Sequence, residues 1–240
     1  AARQTSDAGF FLTPGNLDPV EQKYKAFRKA LGSQHTWYPV VDYFMLPGKG
    51  NESEKHDNIK WLRNYFSVMP AITQPGPDDS PNTMYSFDYG NIHVIVINPF
   101  FNGNTDINEK ATFSDALYDW LRKDLANNTG RYNLVVSGVP AFPEDNESSY
   151  GFADENDRKQ LWQLLQKNGV MAYITGGNKV AMKKHKGIWQ ISTGNGKDGL
   201  LSFITVRVQP SRIIFERFSG RQGGVFNKVS TEQALLSDYM

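Results

Sequence analysis

The sequence predicts an α/β protein, a layered α/β sandwich in which two mixed β-sheets are flanked by helices. Two observations lead to this prediction. In the middle of the chain, two short apolar runs enclose an amphipathic helix, which is the pattern of a strand–helix–strand crossover. Towards the C-terminus, three apolar runs follow one another with no helical pattern between them, which is typical of antiparallel strands.

The central crossover, over 131–179, organises the chain. Its strands are predicted over 132–137 and 170–175, since each is a short run rich in Val, Leu or Ile that stops at glycine. The helix between them is predicted over 155–167, with Asn168 and Gly169 as its C-terminal cap. Both strands therefore point their carboxyl ends at one edge of the sheet, where ligands and catalytic groups sit in open α/β folds.

The remaining elements follow from apolar spacing and from glycine and proline positions. Strands are predicted before the crossover over 9–13, 37–46 and 84–98, the last as a hairpin that turns at Gly90 and Asn91. Helices are predicted over 20–31, 59–66 and 115–125, and a surface loop over 70–82. Strands after the crossover are predicted over 187–192, 200–208 and 212–218. We expect residues 1–240 to form a single domain.

Composition and charge exclude several classes of function. The chain has 26 Lys and Arg against 25 Asp and Glu, a formal net charge of +1, and its basic residues are scattered, so a nucleic-acid partner is not indicated. We expect no membrane span, because no apolar stretch is long enough to cross a bilayer. The chain contains no cysteine, which excludes disulfides, thiolate metal sites and a cysteine nucleophile.

Several segments, taken in order, resemble the calcineurin-like metallophosphoesterases, especially their secreted relatives similar to purple acid phosphatases. The resemblance covers nearly the whole chain and is carried by the segments 85–97, 120–125, 135–138, 140–143, 169–170 and 174–176. It implies a metallophosphoesterase-like sandwich and an extracellular or periplasmic location. It also implies two divalent metal ions that activate a hydroxide for attack on a phosphoester.

The first two metal-binding corners of that family are lost or altered in this sequence. The family's first corner, Asp-x-His after an opening strand, has no counterpart, so we expect the opening strand to be absent. The second, Gly-Asp-x-x-Asp, resembles residues 15–18, with Asn16 in place of the bridging aspartate and with Asp18 retained. A neutral amide does not supply the negative charge that two adjacent dications require.

The other three corners are also changed. The third resembles residues 47–52, where Asn51 remains but Glu52 or Lys49 displaces the histidine. The fourth, Gly-His, reads Gly138 and Val139. The fifth, Gly-His-x-His, reads 176–179, and we expect Lys179 to repel a dication. The remnant corners are Asn16, Asp18, Asn51, Glu52, Gly138, Val139, Gly177, Asn178 and Lys179. We predict no catalytic residue, no bound metal and no cofactor.

The four histidines lie away from the corners. His93 is predicted to be a packed or hydrogen-bonded strand residue, whereas His35 and His185 are predicted to lie in loops. His56, with Glu52 and Asp57, could form an alternative cation site. The other interpretation is that these residues belong to a solvated loop. A further alternative is that Asn16, Asn178 and Lys179 bind an anion such as phosphate or sulfate.

Three functions remain open from the sequence. The first is a catalytically inactive phosphoesterase fold that serves as a binding or structural module. The second is a metal-dependent phosphoester hydrolase whose opening strand comes from another segment and whose metals use Asp18, Asn51, Glu52 and His56. The third is a binder of small ligands or glycans. Absence of the opening strand would leave a free sheet edge near Phe10, so we expect a protein partner or self-assembly there, or rearranged residues of this chain.

Overall fold

The computed structural model describes residues 10–12, 37–40, 74–77, 83–101, 110–128, 132–143, 151–176, 180–193, 200–221 and 224–239. The helices in these parts are α1 (Asp115–Asn127) and α2 (Glu155–Lys167), and a short 3-10 helix spans Leu236–Asp238. The strands are β1 (Phe10–Leu12), β2 (Trp37–Pro39), β3 (Gln74–Pro75), β4 (Tyr85–Tyr89), β5 (Ile92–Ile97), β6 (Tyr132–Ser137), β7 (Val170–Thr175), β8 (Val180–His185), β9 (Ile188–Thr193), β10 (Leu200–Gln209), β11 (Arg212–Arg221) and β12 (Asn227–Leu235).

The larger sheet has seven described strands in the order β3-β4-β5-β6-β7-β9-β8. The inner strands β5, β6, β7 and β9 run parallel, while β4 and β8 pair antiparallel on either side of them. Every residue of β5, β6 and β7 is buried. Such strands need apolar side chains on both faces, which explains why they appear in the sequence as continuous apolar runs.

The two faces of this sheet pack against different layers. On one face, Val136 and Ile174 belong to a core cluster that includes Ile213 and Phe215 of the antiparallel sheet β10-β11-β12. On the other face, Val135 and Tyr173 pack in a cluster with leucines of the two helices, which are Leu117, Leu121, Leu125, Leu161, Leu164 and Leu165. The order of layers is thus helices, mixed sheet, antiparallel sheet, as expected for a layered α/β sandwich.

The predicted crossover is confirmed at its predicted boundaries as β6, α2 and β7. Helix α2 begins after Asp154, whose carboxylate accepts a hydrogen bond from the backbone N–H of Asn156 at 2.6 Å. It ends at Asn168, whose side-chain amide donates to the Leu164 carbonyl at 2.8 Å. Gly169 then adopts φ +64°, a left-handed conformation that glycine reaches without strain.

We expect Gly169→Ala to lower the free energy of unfolding by about 2–4 kcal/mol, because left-handed strain adds to overpacking. A Cβ at this position would lie 2.7 Å from the backbone oxygen of Tyr239. Gly90→Ala is the matched control, since Gly90 has φ +60° but nothing within 4 Å of an added Cβ. The control isolates the strain, at about 1–2 kcal/mol. Equal losses for both variants in chemical denaturation would contradict the role of the Tyr239 contact.

The described elements differ from the sequence prediction at three places. The loop predicted over 70–82 contains β3, a two-residue edge strand paired with β4. Strands β8 and β12 were not predicted, because they are edge strands whose exposed polar residues interrupt the apolar pattern. The prediction of a loop at His185 is wrong, since this residue ends β8 and stacks on Phe142.

The N-terminal third is described only in part. β1 pairs in parallel with β2. β1 agrees with the predicted strand over 9–13 where it is described, whereas β2 ends at Pro39, so Val40 lies outside the strand that was predicted over 37–46. The predicted helices over 20–31 and 59–66 lie outside the described residues. The expectation that another segment fills the sheet edge near Phe10 stays a prediction. In the described parts of the chain, no helix combines the length and apolar character needed to cross a membrane.

Candidate functional site

A row of hydroxyl side chains lies at the carboxyl edge of the parallel strands. Ser137 of β6 stands beside Thr175 of β7, and Thr175 stands beside Ser192 of β9. Because directly paired residues share a face, the three hydroxyls lie on the face that the helices cover. All three residues are buried. This edge is where the sequence predicts the remnant fourth and fifth corners.

The loop that follows β6 is held by its own hydrogen bonds. The Ser137 hydroxyl accepts from the Val139 backbone N–H at 3.2 Å, and the Tyr173 hydroxyl donates to the Val139 carbonyl at 2.7 Å. Burial raises the pKa of Tyr173 far above its usual range, although a hydrogen bond with Ser137 acts in the opposite direction. Tyr173 is therefore a neutral hydrogen-bond donor. Gly138 and Val139 lie buried at this corner.

Further along the same loop, Gln190 of β9 holds Phe142. Its side-chain oxygen accepts from the Phe142 backbone N–H at 2.8 Å, and its amide donates to the Phe142 carbonyl at 2.6 Å. The Phe142 ring stacks on His185 with centroids 4.2 Å apart and meets the Trp162 ring edge-on at 4.8 Å. This aromatic cluster cannot be recognised in the sequence, because its members come from a loop, a helix and a strand that the apolar pattern does not predict.

The end of β5 shows the same internal use of polar groups. The Asn98 side-chain amide donates to the Thr83 hydroxyl at 3.1 Å, and its side-chain oxygen accepts from the Phe100 N–H at 3.1 Å. At the end of β7, the Thr175 hydroxyl is buried and has no hydrogen-bond partner among the described residues. The described edge is thus composed of neutral groups that mostly bind one another.

These residues do not fit a dinuclear metal centre. In 98–101, 138–143 and at 176, the stretches described after β5, β6 and β7, there is no carboxylate, imidazole or cationic side chain. Nor does any group of three or more His, Asp or Glu suited to a metal occur in the described residues. Divalent metals of hydrolases are held by imidazole and carboxylate ligands. The other predicted site residues lie outside the described ranges, namely Asn16, Asp18, Asn51, Glu52, His56, Gly177, Asn178 and Lys179.

A cluster of ionisable side chains lies instead at the opposite end of the sheet. His93, near the start of β5, lies beside Asn133 at the start of β6. Its Nδ1 is 2.8 Å from an oxygen of Asp88 in β4, and its Nε2 is 2.8 Å from an oxygen of Asp124 in α1. Ser86 donates to the other oxygen of Asp124 at 2.7 Å. The prediction that His93 is a hydrogen-bonded strand residue is confirmed.

The geometry of this cluster favours an imidazolium. A histidine donates at both ring nitrogens only when it is protonated, and both nitrogens here face carboxylates. Burial disfavours the charged form of His93, but the hydrogen bonds and Coulombic attraction of Asp124 and Asp88 outweigh it, so the pKa is raised above 6.5. The cluster therefore links β4, β5 and α1, and its imidazole offers no free nitrogen to a metal.

Stability should consequently depend on pH through His93. Because the folded-state pKa is raised, this contribution is fully present below pH 6.5, the ordinary value, and falls as the pH rises through the folded-state pKa. The His93→Gln variant removes this titration. We expect the difference in unfolding free energy between wild type and His93→Gln to shrink with rising pH in urea titrations. A difference that grows with pH would contradict the assignment of the imidazolium.

Comparison of the sequence with protein-family models and with curated proteins finds no match. Comparison of structures does. A dimetal phosphatase from Danio rerio is similar with a TM-score of 0.60 at 12% identity, over 90% of this chain and 77% of that protein. A purple acid phosphatase from yellow lupin (Lupinus luteus) seeds is similar with a TM-score of 0.59 at 14% identity, over 88% of this chain. The chain spans 43% of the lupin protein. At these identities the likeness shows the fold, which is the metallophosphoesterase-like fold predicted from the sequence.

Proposed function

We propose that this chain is a catalytically inactive metallophosphoesterase fold that serves as a binding or structural module. The main observation in support is the corner after β6, where the resemblance sets Gly138 and Val139 against the family's Gly-His motif and where Val139 is 2% exposed. Its backbone N–H and carbonyl bind Ser137 and Tyr173. A corner packed in this way contributes to the core of the protein and offers no ligand atom to a metal.

The distribution of charge supports the same proposal. Activation of a water or phosphoester by two metals requires several anionic or imidazole ligands that converge on one point. The described carboxyl edge has none, whereas the buried Asp124 and the partly buried Asp88 pair with the buried His93 at the amino end. There the two acids are paired with a histidine, and breaking a buried pair of this kind destabilises a protein.

Metal analysis together with a hydrolysis assay tests the proposal. The purified chain is equilibrated with Zn²⁺, Mn²⁺ or Fe²⁺, passed through a desalting column and analysed for metal content. Activity is measured with p-nitrophenyl phosphate and bis-p-nitrophenyl phosphate. We expect metal well below one equivalent per chain and turnover at the level of the buffer.

The Asn16→Asp and Lys179→His variants sharpen this test, because each restores one family ligand. A two-metal site needs several ligands placed together, so we expect both variants to remain without metal and without turnover. Two equivalents of metal with turnover in the wild type would overturn the proposal. That result would favour the alternative, a hydrolase with substitute ligands at Asp18, Asn51, Glu52 and His56.

A further inference from the structure

Strand β10 forms one edge of the antiparallel sheet in the part of the chain that the structure describes. It pairs with β11 over ten consecutive residues without a register shift, and it has no second neighbour among the described strands. Phe203, which is paired with Phe218, is 43% exposed, and Val206, which is paired with Phe215, is 37% exposed. Successive residues of a strand face opposite sides, so these two lie on opposite faces of β10. Phe203 is therefore exposed on the outer face, whereas Val206 shares the face on which Ile204 and Val208 pack against the core and is exposed at the edge itself.

The other edge of the sheet, β12, is protected in ways that β10 is not. The β11–β12 register shifts between Arg217 and Phe218, which indicates a bulge, and β12 carries Lys228 and Glu232. Bulges and charged side chains are the usual means by which sheet edges avoid pairing. In contrast, β10 is regular and carries one charged residue, Arg207, whose guanidinium is bound to Glu216 at 2.6 Å.

We infer that β10 pairs in an antiparallel manner with β10 of a second copy of this chain, across a two-fold axis at Thr205. The pairing joins two three-stranded sheets into one sheet of six strands. A two-fold axis perpendicular to a sheet leaves each side chain on the same face of the sheet. Because paired residues in antiparallel strands share a face, the axis must pass at a residue position, and that residue lies opposite its own copy. The unpaired backbone N–H and C=O groups of both edges then bind each other.

The choice of Thr205 rests on side-chain complementarity. With the axis there, Phe203 lies opposite Arg207 of the second copy on one face, and Ile204 lies opposite Val206 on the other. The first is a favourable contact of an aromatic ring with a guanidinium, and the second is a pair of β-branched residues. Moving the axis to Ile204 places Phe203 opposite Thr205 and Val206 opposite Ser202, which loses both pairs.

The side chains that would meet are already held in place. The Phe203 ring stacks on Phe218 with centroids 5.0 Å apart and an interplanar angle of 9°, and it also contacts Phe226 at 5.3 Å. Arg207 is fixed by Glu216, which also binds Lys228 at 2.9 Å. Side chains ordered before association lose less conformational entropy on binding. The inference does not depend on whether the fold is catalytically active.

The molar mass in solution tests whether β10 pairs with β10 of a second copy. Sedimentation equilibrium of the wild-type chain should give a concentration-dependent mass that approaches twice 27.1 kDa. Val206→Lys places a charge in the centre of the pairing and should reduce the mass to that of one chain. Val229→Lys is the matched control, because Val229 is 50% exposed on β12, and this variant should remain a dimer. A wild-type monomer at every concentration, or a dimer of Val206→Lys, would overturn the inference.

Cross-linking tests the register. The chain contains no cysteine, so one introduced cysteine reports on one position. A residue opposite itself in an antiparallel pair has a Cα separation within the range that a disulfide spans. Thr205→Cys should therefore form a covalent dimer on mild oxidation, whereas Thr231→Cys, exposed on β12, should not. Failure of Thr205→Cys to cross-link, or equal cross-linking of the two variants, would refute the axis at Thr205.

Discussion

Replacement of Asp124 by alanine is expected to lower the free energy of unfolding by about 3–5 kcal/mol, the cost of leaving a buried ionic partner uncompensated. Asp124 is 1% exposed and receives hydrogen bonds from the His93 imidazolium at 2.8 Å and from Ser86 at 2.7 Å. The variant leaves both donors buried without this acceptor. It also removes the link between α1 and the β4–β5 hairpin.

Chemical denaturation below pH 6.5, where His93 is charged, measures this loss. Asp119→Ala is the matched control, because Asp119 lies on the same helix, is 60% exposed and pairs with the exposed Arg122 at 3.5 Å. The control should change the unfolding free energy by less than about 0.5 kcal/mol. Equal effects of the two substitutions would show that the buried cluster does not stabilise the fold.

Trp162→Ala is expected to cost about 3–5 kcal/mol, as for other large buried aromatics. Trp162 is 2% exposed and meets the rings of Phe142 and Tyr173 edge-on, at 4.8 and 5.7 Å. Its indole N–H donates to the His185 carbonyl at 3.0 Å. One side chain therefore joins α2 to the loop after β6, to β7 and to β8, and its removal leaves a cavity between all four.

Thermal and urea unfolding check this expectation, with Gln163→Ala as the control. Gln163 is the next residue of the same helix and is exposed, so its truncation should change stability by less than about 0.5 kcal/mol. Trp162→Phe keeps most of the ring packing and loses the hydrogen bond. Its loss of unfolding free energy should therefore lie between those of Gln163→Ala and Trp162→Ala. A loss below 1 kcal/mol for Trp162→Ala, roughly that of a single hydrogen bond, would contradict the joining role.

The central crossover was predictable because strands that are buried on both faces consist of continuous apolar residues, which are visible in the sequence. β6 and β7 are continuous apolar runs, and the leucines of α2 recur at helical spacing. Edge strands leave a weaker record. In β8 and β12 one or both faces are solvated, so Lys183, Lys184 and Lys228 interrupt the pattern. The two-residue strand β3 is too short for any periodicity to appear.

The polar cluster was predictable only in part. The position of His93 inside an apolar strand indicates a hydrogen-bonded histidine, but its partners Asp88 and Asp124 are separated from it by 5 and 31 residues. One signal could have identified Asp124: it lies three and seven residues after Leu121 and Leu117, on the apolar face of its helix. A carboxylate on such a face needs a buried partner. Most of the remnant metal corners lie outside the described residues, so their chemistry stays a prediction.

The phenol of Tyr132 has a consequence for the rate at which the protein unfolds. Its hydroxyl donates to the carbonyls of Gln209 and Pro210, at 3.1 and 2.8 Å, across 77 and 78 residues of chain. Strands β10 to β12 are neighbours in sequence, so they pair with one another through short loops. Contact between these strands and β6 before they pair would require closing the long chain segment between Tyr132 and Gln209, which costs more conformational entropy. We therefore expect the two sheets to form separately and to dock late in folding. We expect Tyr132→Phe to accelerate unfolding in stopped-flow experiments and to leave the refolding rate nearly unchanged.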